Sequence, residues 1–168
     1  MPVGLLTYAR KMLEAGPAGL STLDVPLLVW ESTPERPGDE PLLDTQAGTF
    51  LSRPRSGEPV VFELKKGNAK ANAFAMGITV GRADSNDVPI DDVSISRFHA
   101  YFQKDAKSGV WKLYDAESMN GTWLGPLKLT GKGGEPLKDK ARLRFGDIEV
   151  TFLEPPSFIA YLNEQLAK

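Results

Sequence analysis

From residue 59 onward the chain repeats one pattern: short runs of alternating apolar and polar residues, separated by turn-forming residues. Trp111 and Leu113 flank Lys112; Leu143 and Phe145 interleave with Arg142 and Arg144; Ile148, Val150 and Phe152 interleave with Glu149 and Thr151. A period of two sends successive side chains to opposite faces, so each run reads as a strand with one apolar and one wet face. The clearest strands are expected at 60–65, 77–81, 98–104, 110–114, 122–124, 141–145 and 149–153. Turns such as Lys107-Ser108-Gly109 and Gly146-Asp147 reverse the chain between them. No helical period interrupts the series. Half-buried strands of this kind cover their apolar faces against a second sheet, which predicts an all-β, two-sheet antiparallel β-sandwich.

The flanks follow other rules. Leu5, Tyr8, Ala9, Met12 and Leu13 have the spacing of a short amphipathic helix that ends near Gly16-Pro17. Residues 31–59 are rich in Pro, Gly and acid, with six acidic and three basic residues. They read as an irregular arm, with strand signals only at 26–30 before it and a short extended piece near 49–51. After Pro155-Pro156, Ser157 is expected to cap a last helix with Phe158, Ile159, Leu162 and Leu166 on one stripe. The expected organisation is an N-terminal extension at 1–58, a sandwich domain at 59–154 and a C-terminal helix at 155–168. Both helices are short enough to need a docking surface, and one end of the sandwich is the expected place.

Composition removes several function classes. The 168 residues carry 20 basic and 22 acidic side chains, a net charge of −2, so no bulk field draws the chain to nucleic acid or anionic membrane. There are no cysteines and one histidine, which excludes disulfides and Fe–S clusters and argues against a zinc site. No cofactor is expected. The start of the chain lacks a signal-peptide core, and no run approaches the roughly 18 apolar residues of a membrane span, so the expected compartment is the cytoplasm. Residues 126–145 hold six basic and two acidic residues, read either as the wet face of two strands or as a docking face for acidic partners.

Three islands hold the candidate chemistry: VGR at 80–82, SRFHA at 96–100 and SMNGTW at 118–123. Gly81-Arg82 ends an apolar strand, so Arg82 reads as a solvated strand end or as a guanidinium fork for phosphate oxygens. Ser96 reads as a turn residue and His99 as a core histidine satisfied by local backbone. A Ser–His catalytic pair fits poorly, being three residues apart at a loop-to-strand junction without a nucleophile elbow. Asn120-Gly121 supplies the positive φ of a turn, and the Asn120 carboxamide has the donors and acceptor to grip an extended backbone. The glycines from 125 to 134 fail as a nucleotide loop, because Gly131-Lys132 is followed by Gly133 and no helix follows.

In order and spacing these islands resemble the forkhead-associated (FHA) domain, a phosphothreonine-binding β-sandwich. The matching stretches are GITVGRADSNDVPIDDVSISRFHAYF, WKLYDAESMNGTWLG and LRFGDIEVTF, within roughly residues 60–154. The resemblance implies about 11 strands and a non-catalytic adaptor in kinase signalling that docks Ser/Thr-phosphorylated partner proteins. It implies that Arg82 and Ser96 hydrogen-bond the phosphate, that Arg97 adds donors beside them, and that Asn120 holds the peptide main chain. Gly81, His99, Gly121 and Thr122 match positions that shape the loops. Met119 stands where the family usually has Ser, Thr or a basic residue, so one phosphate contact is expected to be lost. Gly125 replaces a second family asparagine, which is expected to alter loop shape only. The competing expectation is a phospho-independent interaction or assembly module on the same fold, with a second partner or self-association through the terminal helices.

Overall fold

The alternating runs form the expected strands in the computed structural model, which describes residues 3–16, 23–31, 59–66, 77–131 and 133–167. The expected extended piece near 49–51 lies outside them. Among the described residues there are twelve strands: β1 (Val3–Gly4), β2 (Leu27–Trp30), β3 (Val60–Glu63), β4 (Ile78–Gly81), β5 (Val88–Pro89), β6 (Ala100–Lys104), β7 (Trp111–Asp115), β8 (Thr122–Leu124), β9 (Leu127–Lys128), β10 (Glu135–Pro136), β11 (Arg142–Phe145) and β12 (Ile148–Leu153). Two helices among the described residues flank them, α1 (Leu5–Glu14) and α2 (Pro155–Leu166).

The strands make a seven-stranded sheet in the order β1-β3-β2-β12-β11-β8-β9 and a five-stranded sheet in the order β10-β7-β6-β4-β5. All pairings are antiparallel except β4–β5, where Val80 pairs with Val88 in a parallel sense. The inward residues of both sheets form the main core, including Leu28, Phe62, Val80, Phe102, Leu113, Phe145, Val150 and Phe152. Burying a side chain such as Phe102 or Phe145, each 0% exposed, contributes about 1.5–3 kcal/mol.

β2 is hydrogen-bonded between β3 and β12 near the middle of its sheet, so the region before residue 59 supplies central structure to the sandwich. Its four residues are all buried: Leu28 and Trp30 face the main core, while Leu27 and Val29 face a second cluster with Val61 and Leu153. The helices cover that second cluster. Leu5, Tyr8 and Ala9 of α1 and Phe158 and Leu162 of α2 pack there, and the rings of Tyr8 and Phe158 meet edge to face at 5.4 Å. The helices therefore lie on the outer face of the larger sheet rather than at an end of the sandwich. Leu27, Val29 and Val61 provide an apolar face there that a polar outer sheet would lack.

The start of α2 also differs from expectation. Glu154 is the N-cap, Pro155 and Pro156 occupy the first turn, and Ser157 lies inside it. Proline suits that turn because its fixed φ is helical and its missing N–H would have no partner there. Asp139 completes the start from outside, accepting the Glu154 N–H at 2.9 Å and the Ser157 hydroxyl.

Candidate functional site

All three islands reach one end of the sandwich, on the loops β4–β5, β5–β6 and β7–β8. Gly81 ends β4 against the β5–β6 loop. A Cβ there would collide with the Arg97 carbonyl, so only glycine permits this approach. The next two residues fasten the loops together: Arg82 N–H donates to the Ser96 carbonyl at 2.9 Å and Ala83 N–H to the Arg97 carbonyl at 3.3 Å. Asn86 adds a clamp, its Nδ2 donating to the carbonyls of Ala83 (2.8 Å) and Arg97 (2.7 Å). The side chains of Arg82 and Arg97 stay exposed and unpaired among the described residues.

His99 holds the second island to the third. It is 0% exposed; its Nδ1 accepts the Ser96 N–H at 3.0 Å and its Nε2 lies 2.8 Å from the Gly121 carbonyl. An acceptor at Nδ1 and a carbonyl at Nε2 fix one neutral tautomer, with the proton on Nε2. Burial pushes the imidazole pKa below its ordinary value, outweighing the Gly121 carbonyl and the Asp115 charge, which act upward.

The β7–β8 turn is built around Asp115. Its Oδ1 accepts the hydroxyls of Ser118 (2.5 Å) and Thr122 (2.6 Å), its Oδ2 lies 3.3 Å from the Ser118 N–H, and Ser118 Oγ accepts the Gly121 N–H at 3.1 Å. Gly121 has φ +92°, and a Cβ would sit 2.8 Å from the Trp123 ring, so the turn requires glycine on both counts. Two bonds then close the turn onto the β5–β6 loop: Met119 N–H donates to Ser96 Oγ at 3.0 Å, and Asn120 Nδ2 to the Ser94 carbonyl at 2.8 Å. The β11–β12 hairpin supports both, through Gly146 N–H to the Gly121 carbonyl (3.0 Å) and Asp147 N–H to Ser94 Oγ (3.0 Å).

The structure thus brings together Gly81, Arg82, Ser96, Arg97, His99, Met119, Asn120, Gly121 and Thr122. Met119 meets the site through its backbone; its side chain is 90% exposed. Sequence reasoning missed Asp115, Asn86 and the structural use of Ser94. An Asp three residues before a Ser is a turn signal that could have marked Asp115; Asn86 and Ser94 act on backbone groups distant in sequence and carry no local signal.

Chemically, the ends of these loops offer donors. With one Ser96 Oγ lone pair taken by Met119 N–H, the hydroxyl proton remains to donate outward. The Asn120 carboxamide keeps its oxygen and one N–H. The exposed side chains of Arg82 and Arg97 belong to the same joined loops. Among the described residues no group of His, Cys, Asp and Glu is arranged to hold a metal ion, and no helix is long and apolar enough to cross a membrane.

The chain resembles known proteins in sequence. The FHA domain family model matches residues 78–146. An oxoglutarate dehydrogenase inhibitor of Corynebacterium diphtheriae is 31% identical over 115 residues, 67% of this chain and 76% of that protein. One of Corynebacterium efficiens is 29% identical over 79 residues, 47% of this chain and 52% of its own length. An FHA domain structure solved in a study of phosphothreonine-dependent FHA domain interactions is 18% identical, covers 77% of this chain and 96% of its own, and gives a TM-score of 0.47. The sequence match to a relative over most of that relative's length, together with the family match across all three islands, places this chain in the FHA domain family.

Proposed function

We propose that this chain is a phosphothreonine-dependent adaptor that docks Ser/Thr-phosphorylated partner proteins. The observation that carries the reading is the Ser96 hydroxyl, held as an acceptor by Met119 N–H at 3.0 Å so that its proton is left to donate. Arg82, whose N–H bonds the Ser96 carbonyl, and Arg97, next in sequence to Ser96, are the cations of the same loops. A phosphothreonine brings about −1.5 to −2 charge and three acceptor oxygens, which these groups match without burying an unpaired charge. Asn120, anchored by Ser94, has one donor and one acceptor left for the main chain of an extended peptide. His99, Gly81, Gly121 and Thr122 hold the loops. Few contacts on preformed loops correspond to micromolar affinity, about −8 kcal/mol.

The relatives' name supplies a candidate output. An FHA protein that inhibits oxoglutarate dehydrogenase is consistent with a chain that works by docking on an enzyme, and this chain is proposed to act on the same class of target. Titration of phosphorylated and unphosphorylated threonine peptides tests the docking reading, and equal affinity for the two would sink it. An oxoglutarate dehydrogenase assay with and without the chain tests the output separately. Self-association through the terminal helices finds little support, because Leu5, Tyr8, Phe158 and Leu162 are buried against the chain's own sheet.

A further inference from the structure

The outer face of the seven-stranded sheet divides in two. The half at β3, β2 and the end of β12 is apolar and covered by α1 and α2. The half at β9, β8 and β11 presents Lys128, Trp123, Arg142 and Arg144, with Glu149 of β12 opposite Arg144 in the strand register. Neither helix packs on it. It contains a groove of about 400 Å³ lined by residues that include Trp123, Pro126, Arg142, Arg144 and Glu149.

The groove's cations are arranged, not merely present. The Arg144 guanidinium stacks 3.9 Å from the centre of the Trp123 ring, and Lys128 Nζ lies 5.4 Å from the same ring. Stacking fixes the plane of a guanidinium and leaves its N–H edge to bind an acceptor. Arg144 Nε is buried and has no hydrogen-bond partner, and neither arginine is ion-paired among the described residues, Glu149 included. Nε itself is shielded from solvent, so the donors open to a ligand oxygen are the terminal Nη groups of the stacked guanidinium. Arg142 and Arg144 line the groove against one carboxylate, Glu149, and Lys128 adds positive charge beside Trp123, so the complementary ligand is acidic, and the Trp123 ring gives it apolar surface. The groove adjoins the Asn120–Gly121 turn, since a Cβ on Gly121 would touch both Trp123 and Lys128.

We infer that this groove is a second docking site, distinct from the phosphate-facing loops, for an acidic, carboxylate-bearing segment of a protein partner. A side-chain carboxylate takes the fork of Arg144, Arg142 and Lys128 supply further attraction, and an apolar neighbour rests on Trp123. The inference does not depend on phosphothreonine binding.

The test is an NMR titration of the full chain with an unphosphorylated octapeptide of alternating glutamate and leucine, and with its glutamine counterpart. The glutamate peptide is expected to shift the Trp123 indole and Arg144 Nε–H resonances, and the glutamine peptide to leave them in place. Arg142→Gln combined with Arg144→Gln should weaken glutamate-peptide binding by about tenfold or more, while Arg82→Ala leaves it unchanged. Arg144→Lys, which keeps the charge but loses the fork, guards against loss through unfolding and should give an intermediate loss. Equal binding of the two peptides, insensitivity to the arginine substitutions, or sensitivity to Arg82→Ala overturns the inference. So does inorganic phosphate shifting the same resonances where the glutamate peptide does not.

Discussion

Ser96 Oγ accepts the backbone N–H of Met119 at 3.0 Å, joining a loop to a turn 23 residues further along the chain. The contact uses the main chain of Met119, so the thioether plays no part in it. The hydrogen bond expected to be lost at this position is thus a side-chain contact to phosphate, while the bond that shapes the site survives.

Arg82 and Ser96 are expected to separate under substitution. Arg82→Ala removes an exposed cation while its backbone bond to Ser96 remains, so phosphothreonine-peptide affinity should fall by about tenfold or more, one charged hydrogen bond being worth about 1.5–3 kcal/mol. The melting temperature should not move. Ser96→Ala removes both the outward donor and the acceptor for Met119, so affinity and melting temperature should both drop. Calorimetric titration and thermal melts read the two effects.

Met119 is the place to gain affinity. Its side chain is 90% exposed, so Met119→Lys costs no packing and adds a cation beside Asn120. Surface attraction of this kind is worth about 0.2–1 kcal/mol, so binding should tighten up to about fivefold, and added salt should erase the gain.

His99 should set a pH dependence of stability in the absence of ligand. Burial lowers its pKa in the folded chain, so below about 6.5, the ordinary histidine value, the unfolded chain takes up a proton that the folded chain refuses. The stability contributed is complete above that pH and is lost as pH falls toward the folded pKa. His99 is the single histidine of the sequence, so His99→Ala should lower the melting temperature at neutral pH and flatten its decline just below it. Phosphopeptide binding should weaken separately as the phosphate itself protonates near about pH 6.

Gly121→Ala should destabilise by about 1–3 kcal/mol, since it forces a side chain into φ +92° and against Trp123. Because the same turn positions Asn120, binding should fall with it. Denaturant melts of this variant beside Gly125→Ala are informative: Gly125 has φ +56° but open space around its Cβ position, so its cost should be smaller.

Tyr8→Phe tests the helix cover. The Tyr8 hydroxyl donates to Glu63 Oε1 at 2.9 Å, and burial, reinforced by Glu63, pushes the phenol pKa far above its usual value. Losing this one bond should cost about 1–2 kcal/mol, about 2–8 °C in melting temperature, without affecting peptide binding.

The sequence by itself determined the strands with one wet face, because a period of two reports burial on one side directly. β7, β11 and β12 are legible for that reason, as are the three islands, whose glycine, arginine, serine and asparagine follow one another in a family order. It also determined that Gly121 must turn. What it could not give was anything that depends on partners distant along the chain. β2 reads as an unbroken apolar run because helices cover its outer face, so its place between β3 and β12 appears only in the assembled sheet. The helix positions were decided by Leu27, Val29, Val61 and Leu153 converging from three strands. In the site, the sequence named the donors, but the tertiary structure decided their orientation. His99 joins Ser96 to Gly121, Asn120 leans on Ser94, and Met119 contributes its backbone, because hydrogen-bond geometry is set by where loops meet rather than by residue type.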